Sequence, residues 1–372
     1  SGSCIAVTRP VARGTRSNLE LQVVPGAGSI APAIWDRLAP DRPFASHRWT
    51  CFGEAALPGD RPYHLLVQRA GEPVARASLW LAREEPLPLP SGVMRQGAAR
   101  IFRRWPLLIC RAPLAQVSGL VLPGDPALRR DALHTIVAAA DELGRELGSS
   151  FLYFDYTEAG DARSDVWPGD FVPVEVSGPG TRLELHWPDF DTYLASLSKS
   201  ARKDYHRHTN RAADRAIEVR VQPQVTRLDE ALPLIRAVEQ QHGTVPHPYA
   251  RQILEQAAHV DAAWITAERA GRLVGCGLLL GDGPDHMLTL LGLDYGERFV
   301  YFQLLYAAIR HAIASGVRHL YGGSGAYEFK QRLGFQLLNN HYSVITARSS
   351  ALRWLARRMS TNQPGAYPVM ES

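Results

Sequence analysis

Lysine is nearly absent from this chain of 372 residues. Of its 41 lysines and arginines only three are lysine, namely Lys199, Lys203 and Lys330. Lysine carries a compact, strongly hydrated point charge, whereas arginine presents a flat fork of donors. The chain therefore keeps an ammonium group at only two places. Chance survival in an arginine-biased sequence would also leave a few lysines, so the residues around them decide between the two interpretations.

Other absences exclude whole classes of protein. Cys4, Cys51, Cys110 and Cys276 are scattered and form no C-x-x-C pair, which argues against a disulfide scaffold or a zinc site and favours free thiols in the cytoplasm. No apolar run reaches the roughly 18 residues that would indicate a membrane span. The P-loop, G-x-S-x-G and dinucleotide-binding fingerprints are missing as well. We therefore expect a cytoplasmic protein with neither a metal ion nor a bound cofactor.

The composition is typical of a globular protein with two domains. A hydrophobic content of 45% and a charged content of 21% lie in the globular range. A length of 372 residues exceeds what one ordinary core accommodates. The formal net charge of +4 permits a phosphate-bearing partner but does not require one.

The two halves of the chain repeat one pattern. Segments 62–84 and 262–283 each predict a β-hairpin, with Gly71 and Gly271 placed where a tight turn needs a positive φ. Each hairpin is followed by a long helix and then a short strand, with helices predicted over 126–147 and 300–315. The buried stripes predicted for these helices comprise Leu133, Ile136, Val137, Ala140 and Leu143 in the first and Leu304, Leu305, Ala308 and Ala312 in the second.

The domain boundary is predicted at the Gly/Pro-rich stretch near residue 177. We expect domains over 1–177 and 178–372, both of α/β (α+β) class, each with a mixed, mostly antiparallel sheet flanked by helices. The second domain would begin with a basic helix, or a pair of helices, over 189–216. Segment 81–106 is predicted to be a long loop and 350–359 a short basic helix.

The order of elements resembles the GNAT acyltransferase fold, and two such units in one chain resemble its FemAB-like branch. The basic segment LSKSARKDYHRHTNRA followed by IEVRV is similar to the helix that precedes the second core of those proteins. GSGAYEFKQRLGF, over 323–335, is similar to their aromatic-Lys-x-x-x-Gly signature. Segment 33–55 is similar to the opening of related acetyltransferase-like members. The resemblance implies an enzyme that forms amide bonds by acyl transfer.

The choice of donor depends on a missing motif. Acyl-CoA-dependent GNAT domains hold the donor's pyrophosphate with a Q/R-x-x-G-x-G/A loop ahead of the long helix, and the corresponding stretches 119–130 and 292–303 lack it. Without those glycines the backbone cannot form the usual anion nest. The resemblance then favours aminoacyl-tRNA as donor and tRNA, not DNA, as the nucleic-acid partner. Acyl-CoA remains the alternative, and a non-catalytic pair of domains that binds tRNA or a nucleotide is a second one.

The acceptor would be an amine. The resemblance is compatible with a small metabolite of specialised metabolism, as in antibiotic biosynthesis, or with a cell-wall precursor peptide, held in a cleft between the domains. The first domain lacks a counterpart of the Lys330 motif. We therefore interpret it as structural or as substrate-binding, with catalysis in the second domain.

Three residues are candidates for catalysis. The resemblance implies that Lys330 stabilises the oxyanion of the tetrahedral intermediate, whereas its alternative is an exposed lysine on a short helix. Tyr327, three residues earlier on the same helical face, either donates a hydrogen bond to the acyl group or simply packs. Glu239 is a candidate general base, and its alternative is an ordinary surface residue.

The remaining candidates would bind substrate. A cationic stripe at helical spacing comprises Lys199, Arg202, Lys203, Arg207 and Arg211. It is either a contact surface for phosphates of tRNA or of a nucleotide-linked acceptor, or a solvated helix face. The aromatic residues Tyr205, His206 and His208 interleave with it and are candidates for stacking on bases. His242, Asp294 and Tyr321 are candidate substrate-binding residues, and His242 and Asp294 are also alternatives to Glu239 as the base. The alternative for Asp294 is a turn cap, that for the lone histidines is a structural role, and water or the substrate itself is the alternative acceptor of the proton.

Overall fold

The computed structural model describes residues 7–9, 18–85, 100, 102–176, 178–244, 246–338 and 341–349. The strands are β1 (Val7–Arg9), β2 (Leu19–Val24), β3 (Arg61–Arg69), β4 (Glu72–Ala82), β5 (Leu107–Cys110), β6 (Leu120–Val121), β7 (Phe151–Glu158), β8 (Val172–Glu175), β9 (Thr181–Glu184), β10 (Ile217–Gln222), β11 (Asp261–Arg269), β12 (Arg272–Asp282), β13 (Asp285–Leu293), β14 (His319–Tyr321), β15 (Gln336–Leu337) and β16 (His341–Ala347). The helices are α1 (Pro32–Arg37), α2 (His47–Ala56), α3 (Pro126–Glu146), α4 (Ala159–Ala162), α5 (Phe190–Ser196), α6 (Lys199–Asp214), α7 (Leu228–Gln241), α8 (Ala250–Gln256), α9 (Val300–Ala314) and α10 (Tyr327–Arg332).

The strands form two sheets, one in each of two compact units. The first sheet has the order β1-β2-β3-β4-β5-β7-β16-β8 with β6 paired to β4, and the second has the order β10-β11-β12-β13-β14-β9-β15. Among the described residues, β5 with β7 and β13 with β14 are parallel pairs, and the other pairings are antiparallel. The predicted class, α/β with mixed and mostly antiparallel sheets flanked by helices, is confirmed.

The two predicted hairpins are present and share their turn geometry. In β3–β4 the turn residues Ala70 and Gly71 have φ of 53° and 82°, and in β11–β12 Ala270 and Gly271 have φ of 48° and 75°. Two consecutive residues with positive φ give the turn type whose twist matches that of the flanking strands. Both hairpins also shift register at the same distance before the turn, between Val67 and Gln68 in the first and between Ala267 and Glu268 in the second.

The long helices pack on the sheets as their periodicity predicted. Every member of the two predicted stripes, on α3 and on α9, is buried. Gly148 and Gly316 follow the ends of these helices with φ of 64° and 69°, in the left-handed conformation that favours glycine there. Each unit has a hydrophobic core between its long helix and its sheet.

The predicted second domain, 178–372, is wrong at its far end. Strand β16 pairs antiparallel with β7 and β8 and so belongs to the first sheet. Among the described residues, the first unit consists of those up to 176 together with 341–349, and the second unit of 178–338. The partners of β16 lie more than a hundred residues away along the chain, and no local sequence pattern specifies such a pairing.

The predicted basic segment forms a pair of helices, α5 and α6. Asp189 caps α5 by accepting from Thr192 N at 2.7 Å, and Ser198 caps α6 by accepting from Ala201 N at 3.2 Å. The helix predicted over 350–359 and most of the loop predicted over 81–106 lie outside the described residues. No helix in the described part of the chain is long and apolar enough to cross a membrane.

Candidate active site

Lys330 lies beneath a glycine-rich turn that connects β14 to α10. Gly323 and Gly325 have φ of 66° and 83°, which side chains rarely tolerate. A Cβ on Gly322 would lie 2.9 Å from both the Phe335 ring and the Thr181 hydroxyl, so no side chain fits there. The turn is therefore fixed closely in place by its neighbours.

The ammonium group of Lys330 is directed at the carbonyls of this turn. Its Nζ donates to Gly322 O at 2.7 Å and has longer contacts with Gly323 O at 3.3 Å and Ser324 O at 3.4 Å. The residue is only 4% exposed. The alternative of an exposed lysine on a short helix is therefore wrong.

Burial lowers the pKa of Lys330 from 10.5 to about 8. No carboxylate among the described residues lies within 4.0 Å of its ammonium group, so its positive charge is held by carbonyl dipoles alone. Lysines are almost never fully buried unless they are paired. A buried cation with a lowered pKa is a common mark of a reactive centre.

Two tyrosines lie on either side of the turn. Tyr327 donates its hydroxyl proton to Pro179 O at 3.0 Å, which directs the proton to the main chain. Burial raises the pKa of Tyr321 to about 12, and the Tyr321 hydroxyl bonds to Arg182 and Asp285. The Tyr321 hydroxyl therefore holds one end of the turn through β9 and β13, and the Tyr327 hydroxyl holds the other through the segment that precedes β9.

Helix α6 presents the predicted cationic stripe, but its members differ. Lys199, Lys203 and Arg211 are exposed, with no carboxylate within 4.0 Å among the described residues. Arg202 donates to the carbonyls of Ala195 and Leu197, which end α5. The stripe therefore contains exposed cations, which a ligand can reach, and Arg202, which stabilises the junction between α5 and α6.

Asp204 connects the stripe to the helix that carries Lys330. Its carboxylate lies 2.8 Å from Arg207 Nη2 on α6 and 3.1 Å from Arg332 Nη1 on α10. The two segments that retain lysine, far apart in sequence, are therefore neighbours in space.

The prediction that His208 stacks on a nucleic-acid base is wrong. His208 is buried, lies 3.9 Å from the Phe302 ring in a stacked arrangement and bonds to the Tyr306 hydroxyl at 3.0 Å. Burial lowers the pKa of this histidine, which favours the neutral ring. Tyr205 packs edge-on against Tyr306, so only His206 of the three predicted residues is exposed.

Of the candidate base and substrate-binding residues, Tyr321 lies beside the turn, whereas Glu239, His242 and Asp294 lie elsewhere in the second unit. Glu239 accepts from Arg236 at 2.6 and 2.9 Å and from His247 N at 2.8 Å, so its oxygens are occupied. The Arg272 guanidinium and the Gly296 amide hold the pKa of Asp294 below its usual value, as expected of a turn cap and not of a base.

His242 is exposed near the same strand end, with Nε2 3.4 Å from the Tyr295 hydroxyl. Strand β14 pairs with β13 only as far as Met287, and β13 continues from there to Leu293. His242 and Asp294 thus lie at the far end of β13, away from the turn that covers Lys330.

A second polar centre, which the sequence did not reveal, lies in the first unit where β5 and β7 part. Asp155 and Tyr156 of β7 stand opposite the single residue Ser343 of β16, because the register shifts there. Tyr156 has a φ of 51°, an uncommon conformation for a bulky residue and one that often marks a functional position.

The charges at this centre do not balance. Arg111 forms a bidentate pair with Glu85, with N–O distances of 2.6 and 2.7 Å. Asp155 accepts from the Ser343 hydroxyl and from Tyr156 N at 3.2 Å through one oxygen, Oδ1. Burial raises the pKa of Asp155, against the opposing effects of Ser343 and Arg111. When Asp155 is ionised the group of three charged residues has a net charge of −1, which suits a cationic ligand.

Comparison with known proteins agrees with this architecture. Residues 199–331 match the family model of the acetyltransferase (GNAT) domain. The second unit is a GNAT acyltransferase domain. The matched range includes the cationic helix, the glycine-rich turn and Lys330. The candidate site therefore lies within the part of the chain that matches the GNAT domain.

Solved structures extend the likeness over both units. FemX superposes with a TM-score of 0.61 at 13% identity, covering 88% of this chain and 98% of FemX. A tandem GNAT protein from the clavulanic acid biosynthesis pathway gives 0.51 at 16% identity, covering 88% of this chain and 97% of that one. The C-terminal domain of a putative lysylphosphatidylglycerol synthetase from Agrobacterium fabrum gives 0.51 at 12%, covering 89% and 97%. A search of curated protein sequences gave no match.

At these identities the likeness to solved structures is one of fold. This chain is accordingly an acyltransferase with the tandem GNAT fold, and the resemblance to the FemAB-like branch is confirmed at that level. The chain spans nearly the whole length of each of these structures, so both units of the tandem arrangement are represented.

Proposed function

We propose that this protein transfers an aminoacyl group from an aminoacyl-tRNA to the amine of a second substrate and so forms an amide bond. The amine nitrogen attacks the ester carbonyl, a C–N bond forms, and the tetrahedral intermediate carries a negative oxygen. The C–O bond to the terminal ribose of the tRNA then breaks, and the ribose hydroxyl leaves with the proton lost by the amine.

The observation that carries the proposal is the unpaired, buried ammonium of Lys330. A cation at a water-excluded centre stabilises a developing oxyanion far more than one in water does. The contacts of Nζ with Gly323 O and Ser324 O are long, 3.3 and 3.4 Å, so a nearby oxyanion can compete for those two protons. Tyr327 then serves chiefly to hold the turn in position, through its hydrogen bond to Pro179 O.

The exposed cations of α6 support a polyanionic donor. Lys199, Lys203 and Arg211 present charge on the helix that Asp204 joins to α10. A tRNA backbone bound along this helix would be adjacent to the helix that carries Lys330. A free acyl-CoA, which carries fewer phosphates than a tRNA, would engage fewer of these cations.

The polar centre of the first unit supports an amine as acceptor. Asp155 is the member of that group whose charge no arginine pairs with directly, since Arg111 binds Glu85 in bidentate geometry. An amine in its protonated form would restore neutrality there, and it must lose that proton before it attacks the ester. A small amine of specialised metabolism and the amino group of a cell-wall precursor peptide both have this chemistry.

Following the donor tests the proposal. The protein is mixed with a pool of charged tRNA and a metabolite extract, with a mixture of acyl-CoA thioesters in parallel, and the loss of each ester is measured. We expect one aminoacyl-tRNA to be consumed by the native protein and far more slowly by the Lys330→Met variant. Consumption of one acyl-CoA with every aminoacyl-tRNA intact would overturn the donor. Loss of neither would favour a binding protein.

A further inference from the structure

The loop between β13 and α9 contains a buried acid. Glu297 has a side chain that is only 7% exposed. Its Oε1 accepts from Arg269 Nη1 at 2.6 Å and lies 3.5 Å from Arg272 Nη2, and its Oε2 lies 3.9 Å from Arg215 Nη1. This loop is the stretch in which acyl-CoA-dependent GNAT domains hold the donor's pyrophosphate.

Three guanidinium groups from separate elements thus lie around Glu297, and one of them, Arg272, also donates to Asp294 Oδ2 at 2.5 Å. Arg215 follows the end of α6, and Arg269 and Arg272 flank the turn of the β11–β12 hairpin. Their side chains are 39%, 44% and 59% exposed, so solvent reaches them even though it does not reach the acid.

Two carboxylates, Glu297 and Asp294, serve the three guanidinium groups. Glu297 Oε2 is shielded from solvent yet accepts no hydrogen bond from any described residue. A buried acceptor without a donor is costly and uncommon, so this carboxylate fits the surrounding guanidinium groups imperfectly. An anion with more oxygens, such as a pyrophosphate, would make fuller use of three guanidinium groups.

The first unit fills the equivalent loop in a different way. Asp125 precedes α3 and accepts from Leu128 N at 2.8 Å as an ordinary helix cap. The arginines that follow it are paired elsewhere, Arg129 with Asp161 and Arg130 with Asp165. The first unit therefore has an acid in the same loop but shows no ring of arginines around it among the described residues.

We propose that Glu297 is a built-in substitute for a ligand's pyrophosphate. It occupies the anion pocket formed by Arg215, Arg269 and Arg272 and makes the second unit select against acyl-CoA. A pyrophosphate entering this loop would have to displace the carboxylate or lie against it, and like charges at such distances repel strongly. The inference gives a physical reason for the donor preference in the proposed function, on which it rests. The binding experiment that tests it does not depend on that function.

Direct binding measurements test it without any turnover. Inorganic pyrophosphate and CoA are titrated by calorimetry into the native protein and into the Glu297→Ala and Glu297→Gln variants. The native protein should bind neither saturably over the titrated range. Both variants should bind pyrophosphate saturably, with an affinity about tenfold or more above the upper limit that the native protein sets, as expected for a charge-assisted contact that is no longer blocked. Glu297→Gln removes the charge but keeps the shape of the side chain, so it still tests the inference if Glu297→Ala fails to fold.

Two control variants make the result specific. Asp125→Ala removes the acid from the equivalent loop of the first unit and should gain no pyrophosphate binding. Adding Arg269→Ala to Glu297→Ala should abolish the gain. If the native protein binds CoA as tightly as the Glu297 variants do, or if neither variant gains pyrophosphate binding, the inference is wrong.

These outcomes are separable from those of the proposed function. A native protein that binds no CoA, and gains pyrophosphate binding on loss of Glu297, confirms the inference even if no aminoacyl-tRNA is consumed in the donor assay. Consumption of aminoacyl-tRNA together with tight CoA binding by the native protein would support the proposed function and reject the role of Glu297.

Discussion

Asp204 and Arg332 form an ion pair across two helices, with Oδ2 of the aspartate 3.1 Å from Nη1 of the arginine. The aspartate belongs to the helix of Lys199 and Lys203, and the arginine lies two residues after Lys330. The pair therefore fixes the position of the exposed cations relative to the buried one.

Lys330→Met keeps the apolar stem and removes the ammonium group. We expect turnover to fall roughly ten- to a thousand-fold, as for the loss of one oxyanion donor. The free energy of unfolding should fall by about 1–3 kcal/mol because buried carbonyls lose their donor. Single-turnover rates and urea denaturation measure the two effects. Glu328→Gln, an exposed change on the same helix, should alter neither, and equal turnover in both variants would show that Lys330 is purely structural.

The pH dependence separates two roles of Lys330. Its pKa in the folded protein is lowered to about 8. If the ammonium form is the active one, the single-turnover rate falls as the pH rises through about 8. A rate that rises through the same window in the native protein, but not in Lys330→Met, would identify the neutral amine of Lys330 as the active form, and therefore a base in place of an oxyanion donor.

Stability should change in the opposite sense over a neighbouring window. The ordinary pKa of lysine, 10.5, exceeds the folded value of about 8, so the unfolded chain binds more protons between these two values. The contribution of Lys330 to the free energy of unfolding therefore rises as the pH goes from about 8 to 10.5. Denaturation at several pH values, compared with Lys330→Met, isolates this contribution; parallel curves for the two proteins would contradict the lowered pKa.

Reversing two exposed charges tests the donor surface. The double variant Lys199→Glu and Lys203→Glu should bind charged tRNA more weakly, and its affinity should depend less steeply on salt, by about one unit of slope for each phosphate that the variant no longer neutralises. Filter binding over a range of salt concentrations measures both. Arg220→Glu, an exposed reversal elsewhere in the second unit, serves as control. An unchanged salt slope in the double variant would refute phosphate contacts on α6.

Asp155→Asn tests the acceptor centre of the first unit. Losing the charge should raise the KM for the amine about tenfold or more, since hydrogen bonds to charged groups are worth about 1.5–3 kcal/mol. The affinity for aminoacyl-tRNA should stay unchanged. Asp165→Asn is the matched control, because this aspartate of the same unit is exposed and paired with Arg130. Equal KM values in both variants would remove Asp155 from the acceptor site.

The sequence predicted the parts of this molecule that are specified locally. The Arg-Ala-Gly turns need positive φ at adjacent positions, and the buried stripes of α3 and α9 follow from helical periodicity, so both were predicted correctly. Lys330 could be singled out because lysine is so rare in the chain. The sequence did not predict that this lysine is buried. Its partners are main-chain carbonyls of a glycine-rich turn, which no side-chain pattern reports.

Features assembled from distant segments escaped prediction. The polar centre of the first unit combines Glu85, Arg111, Asp155 and Ser343, which lie in four separate stretches of sequence. His208 appeared to belong to a surface stripe, because its position on α6 did not reveal that Phe302 and Tyr306 cover that side of the helix. In each case the deciding information is which elements pack together.

The return of β16 to the first sheet makes the architecture nested. Strands β8 and β16 are antiparallel neighbours, and Val176 N bonds to His341 O at 3.0 Å where the chain leaves one unit and re-enters it. They form a β-hairpin whose connecting loop is an entire enzyme domain. During synthesis the first sheet can be completed only after the whole inserted domain has been made, because β16, which pairs between β7 and β8, follows that domain in the chain. The same junction is a natural place to separate the two units. A short turn in place of 178–338 should leave the first sheet complete, and the removed segment begins and ends at neighbouring positions.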